Sequence, residues 1–195
     1  MNITLQKECS PVGPGKLVIV VGPSGAGKDT LLDGLKANLS HELNVMFARR
    51  LITRKADMTS EDHASLTIDE MNALIANNGV ALSWPAHGLT YALPLAVDQH
   101  IRQGGTVIAN GSRAILLQAQ EKYQTVVVVH VTAPLEVLAK RLSQRGRESH
   151  EQILDRLKRA NLSLPDCKNL ITINNCSTPT ESIRQLYTQL INYIG

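Results

Sequence analysis

The sequence predicts an α/β fold in which a parallel β-sheet is covered by helices on both faces. Two observations favour this fold: strand-length segments rich in valine and isoleucine recur along the chain, and amphipathic helical segments separate them. Neighbouring parallel strands need a crossover connection, usually a helix, and the alternation supplies one between most strands. The chain has 195 residues, of which 43% are hydrophobic, so it is ample for one domain with a buried core and short for two.

The predicted strands are short apolar runs, and the run at 125–131 is the richest in β-branched residues. Residues 55–63 are polar and are predicted to form a turn. The predicted strands lie at residues 16–21, 44–47, 50–53, 80–84, 89–93, 106–109, 125–131 and 171–173.

The predicted helices are placed by their caps and by apolar residues on one face. Thr67 and Glu70 have the spacing of a capping box, Gly79 is suited to end the helix that they begin, and Pro94 is suited to begin the next. The predicted helices lie at residues 28–39, 67–77, 94–102, 112–122, 134–144 and 148–162, with a last helix capped by residues 178–181. The segment at about 54–93 interrupts the alternation of strands and helices, so we expect it to form an inserted acceptor-binding lobe.

Composition limits the classes of function. The formal net charge of +3 is too small to indicate nucleic-acid binding, and the longest apolar runs are far shorter than a membrane span. The three cysteines form no C-x-x-C pair and the histidines are scattered, so we expect no zinc site, no disulfide framework and a cytoplasmic location. Residues 1–15 lack the apolar stretch of a secretory signal and are expected to form a loose leader before a single domain at 16–195. Bunched arginines fit a polyanionic small molecule as the partner.

A glycine-rich turn joins the first predicted strand to the first predicted helix. Strand, glycine-rich turn, lysine and helix, in this order, are typical of a phosphate-binding loop, or P-loop. The N–H groups of such a loop converge on one anion, the helix N-terminus adds its positive dipole end, and the lysine reaches the terminal phosphates. The sequence therefore predicts a P-loop NTPase fold that binds ATP. The expected ATP-binding residues are Gly22, Pro23, Ser24, Gly25, Ala26, Gly27, Lys28, Asp29 and Thr30.

The residue after the loop lysine departs from the common pattern, in which a serine or threonine hydroxyl coordinates magnesium. That residue is Asp29, and Thr30 follows it. A carboxylate is a good hard-oxygen ligand for Mg²⁺, and its charge is tolerable beside phosphates only with the metal or Lys28 close by. We therefore expect Asp29 or Thr30 in or near the magnesium shell. The alternative is that Asp29 is a first-turn helix residue favoured by the dipole.

Four groups of residues resemble guanylate-kinase-like proteins, and the resemblance covers roughly residues 16–193. The groups are the loop 22–28, the pair Thr53-Arg54, the cluster Trp84, Gly88 and Tyr91, and the run Arg145-Gly146-Arg147-Glu148. The resemblance implies a P-loop core, an acceptor lobe, an arginine-rich lid at about 141–150, and phosphoryl transfer from ATP.

The chain also departs from the guanylate kinases at the residues that read guanine. Ser83 stands where those kinases carry a glutamate before the tryptophan, and the run Asn110-Gly111-Ser112-Arg113 has no carboxylate. Ala56 replaces a further arginine of that family. Leaving the N–H donors of guanine unpaired costs about 1–3 kcal/mol each, so we expect guanylate to be a poor acceptor.

The chain is more similar to a smaller branch of the same group, the ribose 1,5-bisphosphate phosphokinases. The residues that carry this resemblance are Gly27-Lys28-Asp29, Ile52-Thr53-Arg54, Leu82-Ser83-Trp84, the run from Asn110 to Ala114, and the run from Arg145 to Glu148. The resemblance implies phosphorylation of ribose 1,5-bisphosphate by ATP to give 5-phospho-α-D-ribose 1-diphosphate, in connection with phosphonate breakdown. It also implies a sugar phosphate as the partner, with ATP and Mg²⁺ as cofactors.

The resemblance assigns roles to individual residues. Lys28 would hold the ATP phosphates, and Arg141, Arg145 and Arg147 would close over the transferring group as catalytic lid residues. The candidate acceptor-binding residues are Arg50, Arg54, Ser83, His87, Tyr91, Asn110, Ser112 and Arg113. Arg141 and Arg113 could equally be surface arginines, His87 could be a turn residue, and Trp84 is expected to pack the lobe. A phosphate acceptor is largely deprotonated at neutral pH, because its second pKa is about 6, so we nominate no general base.

Two alternative functions stay open at this point. One is a nucleoside-monophosphate kinase of the guanylate type with an unusual choice of base. The other is a guanylate-kinase-like interaction module without catalysis, against which the complete P-loop argues. The sequence does not fix the oligomeric state, and a homodimer is compatible with it.

Overall fold

The computed structural model describes residues 10–39, 44–54, 63–86, 88–144, 157 and 163–194. The strands of these ranges are β1 (Lys16–Val21), β2 (Val45–Ala48), β3 (Arg50–Ile52), β4 (His63–Ser65), β5 (Val80–Ala86), β6 (Leu89–Pro94), β7 (Thr106–Asn110), β8 (Val126–Thr132) and β9 (Leu170–Asn174). The helices are α1 (Lys28–Asn38), α2 (Ile68–Ala76), α3 (Ala96–Arg102), α4 (Leu116–Lys122), α5 (Leu135–Gln144) and α6 (Pro179–Ile194), and a 3-10 turn at Arg113–Ile115 precedes α4.

Five strands form a wholly parallel sheet in the order β2-β7-β1-β8-β9. The central strand β1 has β7 on one side, with Val20 beside Asn110, and β8 on the other, with Val21 beside His130. The carboxyl ends of these strands therefore meet at one edge of the sheet, where the P-loop begins.

Alternation along β1 divides the core into two layers. Leu17 and Ile19 pack on the face covered by α3 and α4, whereas Val18 and Val20 pack on the face covered by α1, α5 and α6. All four side chains are fully buried. The predicted parallel sheet with helices on both faces is confirmed.

The segment that interrupts the alternation folds as a second sheet. Its strand order is β4-β3-β6-β5, in which β3 and β4 are parallel and the other pairs are antiparallel. Ala81, Leu82 and Leu93 of this sheet are buried in the same cluster as α3 and α4. The lobe is therefore packed against one face of the parallel sheet.

Several predicted boundaries are wrong for identifiable reasons. His63 was predicted in a turn, but it begins β4 and pairs with Arg50 of β3. Pro94 ends β6 instead of beginning α3, since its missing N–H is tolerated at a strand end. The residue with positive φ after α2 is Asn78, at 52°, and not Gly79.

The leader is also not loose where the structure describes it. The N–H of Val12 donates to the carbonyl of Lys122 at 2.7 Å, and Val12 in turn accepts from the N–H of Gln124 at 2.9 Å. Residues 10–15 are thus attached to the end of α4. The predicted helix at 148–162 and the predicted turn at 55–62 lie outside the described residues, apart from Leu157.

Candidate active site

The P-loop joins β1 to α1 through residues that need positive φ. Gly22 has φ 152° and Gly27 has φ 87°, a region that side chains with a Cβ rarely adopt. A Cβ on Gly22 would collide with the carbonyl of Val131 in β8, and one on Gly27 would collide with the amide of Asn175. The loop is therefore fitted closely against the ends of β8 and β9.

Lys28 stands at the first position of α1. Its Nζ donates to the carbonyls of Gly22 at 2.9 Å and Pro23 at 3.1 Å, so the ammonium lies across the mouth of the loop. The residues predicted from the P-loop pattern are thus folded around this cation and the N-terminus of α1, a combination suited to an anion.

Asn175 is a residue that sequence reasoning missed. Its Nδ2 donates to the carbonyl of Ala26 at 2.7 Å, and its own N–H donates to the carbonyl of Thr132 at 2.7 Å. Asn175 is 5% exposed and fixes the P-loop to the carboxyl end of β9. The available signal was its place directly after a predicted strand, at the edge where the P-loop lies.

Asp29 is held by two partners from different sheets. Its Oδ1 accepts from Asn110 Nδ2 at 2.6 Å, and Nη2 of Arg50 lies 4.0 Å from the same oxygen. Asn110 is the last residue of β7 and is 7% exposed, whereas 44% of the Asp29 side chain is exposed. The carboxylate is therefore oriented by a buried amide and still reaches the solvent.

A cavity of about 780 Å³ opens over the P-loop and Asp29. It brings the loop together with six of the predicted acceptor-binding residues, which are Arg50, Arg54, Tyr91, Asn110, Ser112 and Arg113. Ser163 and Pro165 also line it, and sequence reasoning missed them because they follow a predicted helix with no motif of their own.

One arginine of this cavity, Arg50, lies over a pair of stacked aromatic rings. The Trp84 and Tyr91 rings stack with centroids 5.7 Å apart and planes at 14°, and the Arg50 guanidinium lies 6.0 Å from the centre of the Tyr91 ring. Trp84 is 4% exposed, in keeping with its expected packing role. Such a pair of rings restricts the guanidinium fork and favours planar recognition of an anion.

Arg113 lies partly buried at the start of the 3-10 turn, and burial lowers its pKa. An arginine keeps its proton at neutral pH even so. Burial also lowers the pKa of His130, at the end of β8, and the positive charge of Arg113 lowers it further. His130 is thus favoured in its neutral form, which avoids two cations at this end of the cavity.

Some predicted site residues are placed elsewhere. Ser83 does not line the cavity, because successive residues of β5 face opposite sides and its neighbour Trp84 faces the cavity. Thr30 lines a second cavity, whereas Asp29 lines the first. His87, Arg145 and Arg147 lie outside the described residues.

The second cavity, of about 320 Å³, lies on the other side of the P-loop. Nη1 of Arg141 donates to the carbonyl of Gly25 there at 3.4 Å, so Arg141 contacts the loop backbone. The lining residues are Gly25, Gly27, Thr30, Leu31, Arg141, Gln144, Asn175 and Pro179.

The described residues offer neither a ready-made metal cluster nor a helix able to span a membrane. They contain no cluster of three or more His, Cys, Asp or Glu side chains able to hold a metal ion. Every helix within the described ranges is too short or too polar to traverse a lipid bilayer.

Comparison with known proteins places the chain among kinases. A family model described as an AAA domain matches residues 18–160. The ribose 1,5-bisphosphate phosphokinase PhnN of Rhodopseudomonas palustris is 45% identical over 175 residues, which cover 90% of this chain and 88% of that protein. A bifunctional ribose 1,5-bisphosphokinase-thymidine phosphorylase of Azorhizobium caulinodans is 43% identical over 182 residues, but the chain spans only 26% of its length.

A solved structure supports the fold. The guanylate kinase from Anaplasma phagocytophilum superposes with a TM-score of 0.63 over 95% of this chain and 88% of that chain, at 14% sequence identity. At this identity the likeness shows the fold alone, and the predicted P-loop α/β fold is confirmed.

Proposed function

The chain belongs to the ribose 1,5-bisphosphate phosphokinase family and carries an AAA domain, and we propose that it transfers the γ-phosphoryl group of ATP to the 1-phosphate of ribose 1,5-bisphosphate. An oxygen of the 1-phosphate forms a bond to the γ-phosphorus as the bond from that phosphorus to the β-phosphate oxygen breaks. The products are ADP and 5-phospho-α-D-ribose 1-diphosphate.

One observation carries the choice of acceptor: the cavity that contains the P-loop also contains Arg50, Arg54 and Arg113. Three guanidinium groups suit an acceptor with two phosphate groups. Asp29 is the only acidic side chain among the described lining residues, and it already accepts a hydrogen bond from Asn110. A guanine ring would leave its N–H donors without carboxylate partners here, at a cost of about 1–3 kcal/mol each.

ATP would bind on both sides of the P-loop. The loop N–H groups and Lys28 would hold its β- and γ-phosphates at the main cavity. The adenine ring would enter the second cavity beside Pro179, whose apolar ring offers a flat surface. Arg141, with Arg145 and Arg147 of the lid, would then neutralise charge on the transferring group.

The acceptor needs no general base in this scheme. The second pKa of a phosphate monoester is about 6, so the attacking oxygen is mostly deprotonated at neutral pH. The work left to the protein is to bring two polyanions into line and to offset their repulsion, which accounts for the cationic cavity.

The residues present fit Mg²⁺. Asp29 offers a carboxylate that is 44% exposed, and the Oδ1 of Asn110 beside it is buried with no hydrogen-bond partner within the described residues. Hard oxygen ligands of this kind suit Mg²⁺, which when bound neutralises charge on the β- and γ-phosphates. Thr30 lines the second cavity and is the weaker candidate.

A substrate panel tests the proposal. The purified protein is incubated with ATP and Mg²⁺ and with ribose 1,5-bisphosphate, ribose 5-phosphate, GMP or AMP, and ADP release and the phosphorylated product are both measured. We expect turnover with ribose 1,5-bisphosphate and none with ribose 5-phosphate, which lacks the 1-phosphate. Strong turnover of GMP without diphosphate product from the bisphosphate would reject the proposal.

Lys28→Ala separates catalysis from a mere binding role. We expect it to lower kcat on the order of a hundredfold to a thousandfold, as for loss of a cation or donor at a transferring group. An unchanged ADP release in this variant would mean that the measured turnover comes from a contaminating enzyme.

A further inference from the structure

The side chains of Asp29 and Asn110 form a pair between the start of α1 and the end of β7. Asp29 follows the P-loop that leaves β1, and Asn110 ends β7, which pairs with β1 so that Asn110 lies beside Val20. Their hydrogen bond, from Asn110 Nδ2 to Asp29 Oδ1, is 2.6 Å long. This bond joins the P-loop side of the cavity directly to the end of the adjacent strand.

This pair offers the same two kinds of ligand as a common magnesium site, a carboxylate and a neutral oxygen. The two ligands have exchanged positions between the P-loop and the strand. Many P-loop NTPases hold Mg²⁺ with a neutral Ser or Thr of the loop and with an aspartate from elsewhere in the domain. Here the loop residue is the carboxylate, and the residue that reaches it from the adjacent strand is neutral. Both arrangements supply one negative charge and one neutral oxygen.

We infer that Asp29 and Asn110 are an exchanged magnesium-binding pair, in which the metal-binding carboxylate has moved into the P-loop and an amide occupies the strand position. The inference rests on the ATP- and magnesium-dependent part of the proposed function. It explains why the two unusual residues occur together: two carboxylates at hydrogen-bond distance would repel each other, and two neutral residues would leave the metal without a charged ligand.

The side-chain amide of Asn110 has an oxygen that lacks a hydrogen-bond partner within the described residues. Because Nδ2 is used on Asp29, the Oδ1 of Asn110 faces away from it, and this oxygen is buried without a hydrogen-bond partner among the residues described. An unpaired buried acceptor costs about 1–3 kcal/mol, so it calls for a donor or a cation in the working enzyme. If the amide turned over when the metal binds, this oxygen would face Asp29 and could contact the shared metal ion or one of its water ligands.

The surroundings keep the pair in place and limit its charge. Arg50 Nη2 lies 4.0 Å from Asp29 Oδ1, and Lys28 precedes Asp29 in the loop. The N–H of Gly111 donates to the carbonyl of Val20 at 2.9 Å, which fixes the backbone directly after Asn110. The carboxylate is thus one anion among cations, with its side chain 44% exposed towards the cavity that the phosphates would enter.

The test restores the usual arrangement by exchange. ATP binding is measured by calorimetry without acceptor, once with Mg²⁺ and once with a chelator, for the wild type, Asp29→Thr and the double variant Asp29→Thr/Asn110→Asp. We expect Asp29→Thr to weaken binding of the magnesium–ATP complex by about 10–100-fold, with little change in binding of metal-free ATP. The double variant should recover most of this loss, because the strand then supplies the charge.

Asp33→Thr is the matched control, since it makes the same substitution one turn further along α1 at an exposed position. It should bind the magnesium–ATP complex like the wild type. If the double variant binds no better than Asp29→Thr, or if Asp29→Thr equals Asp33→Thr, the exchange is wrong. Thermal unfolding verifies that each variant is folded, and Asp29→Ser repeats the comparison should Asp29→Thr unfold.

The outcome is independent of the acceptor. A protein that shows the exchange in nucleotide binding but no turnover of ribose 1,5-bisphosphate would reject the acceptor in the proposed function and keep the metal pair. A protein that turns over the bisphosphate but shows no exchange would do the reverse.

Discussion

The two halves of the main cavity are built in different ways. One half, which we call the loop half, is the P-loop at residues 22–29 with Asn110 at the edge of the parallel sheet, and Asn175 supports this loop from the second cavity. The other, the sheet half, presents Arg50 from β3 of the four-stranded sheet and Arg54 from the bend that follows β3. The loop half consists mainly of backbone groups held by buried amides. The sheet half consists of long side chains that line the cavity.

This difference indicates how each half tolerates change. A backbone group can be moved only by moving its neighbours, so substitutions in the loop half should affect ATP and the acceptor together. An arginine side chain can be shortened without disturbing the backbone, so substitutions in the sheet half should affect binding of the acceptor alone. Four predictions, in order of decreasing effect, test this contrast.

The largest effect should come from a buried ion pair that joins the lobe carrying the sheet half to the helices behind the parallel sheet. Asp98 of α3 is 3% exposed, and it accepts from Tyr123 at 2.6 Å and pairs with Lys122 at 2.7 Å. Lys122 also donates to the carbonyl of Ala81 in β5 at 2.6 Å, so the network joins the helices behind the parallel sheet to the lobe. Burial raises the pKa of Tyr123, and the Asp98 carboxylate raises it further, so Tyr123 stays a donor.

Asp98→Asn keeps the shape of the side chain but leaves Lys122 without its counter-ion. We expect a loss of about 3 kcal/mol in the free energy of unfolding, measured in urea, because removal of one partner strands a partly buried charge. The control is Asp69→Asn, at an exposed position in the first turn of α2. Equal losses in the two variants would show that this network does not stabilise the contact between the helices α3 and α4 and the lobe.

The second effect concerns the close fit of the loop half. Gly27→Ala introduces a Cβ that collides with Asn175, in a loop where a shift of about 1 Å can cost on the order of a hundredfold in rate. We therefore expect kcat to fall about a hundredfold, with ATP binding weakened as well. Steady-state kinetics and ATP titration would measure both.

Gly104→Ala is a matched control for Gly27→Ala. Gly104 has φ 84°, close to the 87° of Gly27, but within the described residues a Cβ there would meet nothing within 4 Å. Both variants carry the strain of a left-handed backbone, about 1–2 kcal/mol, and only one carries the collision. Similar kinetic losses in both would assign the effect to strain and remove the role given to Asn175.

The contrast between the halves also explains what could be predicted from the sequence. The P-loop was predicted because its glycines, lysine and flanking elements are contiguous. A local backbone conformation of this kind is determined by the residues within it. Asn175 was missed because its contact with Ala26 joins positions 149 residues apart. No pattern within a few residues of Asn175 records that contact.

The sheet half was predicted less well, for a related reason. The run at 50–53 was read as following the second strand, but β2 and β3 belong to different sheets, and only tertiary pairing decides this. The resemblance predicts Ser83 in the pocket, because it stands where the guanylate kinases carry a glutamate before the tryptophan, yet alternation along β5 puts Ser83 and Trp84 on opposite faces. Which face lines the cavity depends on how the lobe packs.

The third effect tests whether the sheet half acts on the acceptor alone. Arg54→Lys keeps the charge but removes the planar fork, which is worth about 1.4 kcal/mol if one charge-assisted hydrogen bond is lost. We expect the KM for ribose 1,5-bisphosphate to rise about tenfold and the KM for ATP to stay the same. The control is Arg49→Lys, which lies next to β3 but donates to the carbonyl of His63 instead of lining the cavity. A rise in the KM for ATP in Arg54→Lys would contradict the division between the halves.

The smallest effect is electrostatic and involves His130, at the edge of the parallel sheet, and Arg113 of the cavity. Burial lowers the pKa of His130 below its ordinary value of 6.5, and the charge of Arg113 lowers it further. At a pH below this ordinary value of 6.5, His130 binds more protons in the unfolded chain than in the folded protein. The stability due to neutral His130 is therefore present above pH 6.5 and is lost as the pH falls through the lowered pKa. One such group changes the free energy of unfolding by at most about 1.4 kcal/mol per pH unit.

Urea unfolding from about pH 7.5 to about pH 5.5 measures this loss in the wild type, His130→Gln and Arg113→Gln. We expect the wild type to lose more stability than His130→Gln over this range, because glutamine binds no proton. Arg113→Gln should fall between them and nearer the wild type, because burial is the larger cause of the lowered pKa and remains when the arginine is removed. If Arg113→Gln behaves like the wild type, the charge of Arg113 does not contribute to the lowered pKa of His130.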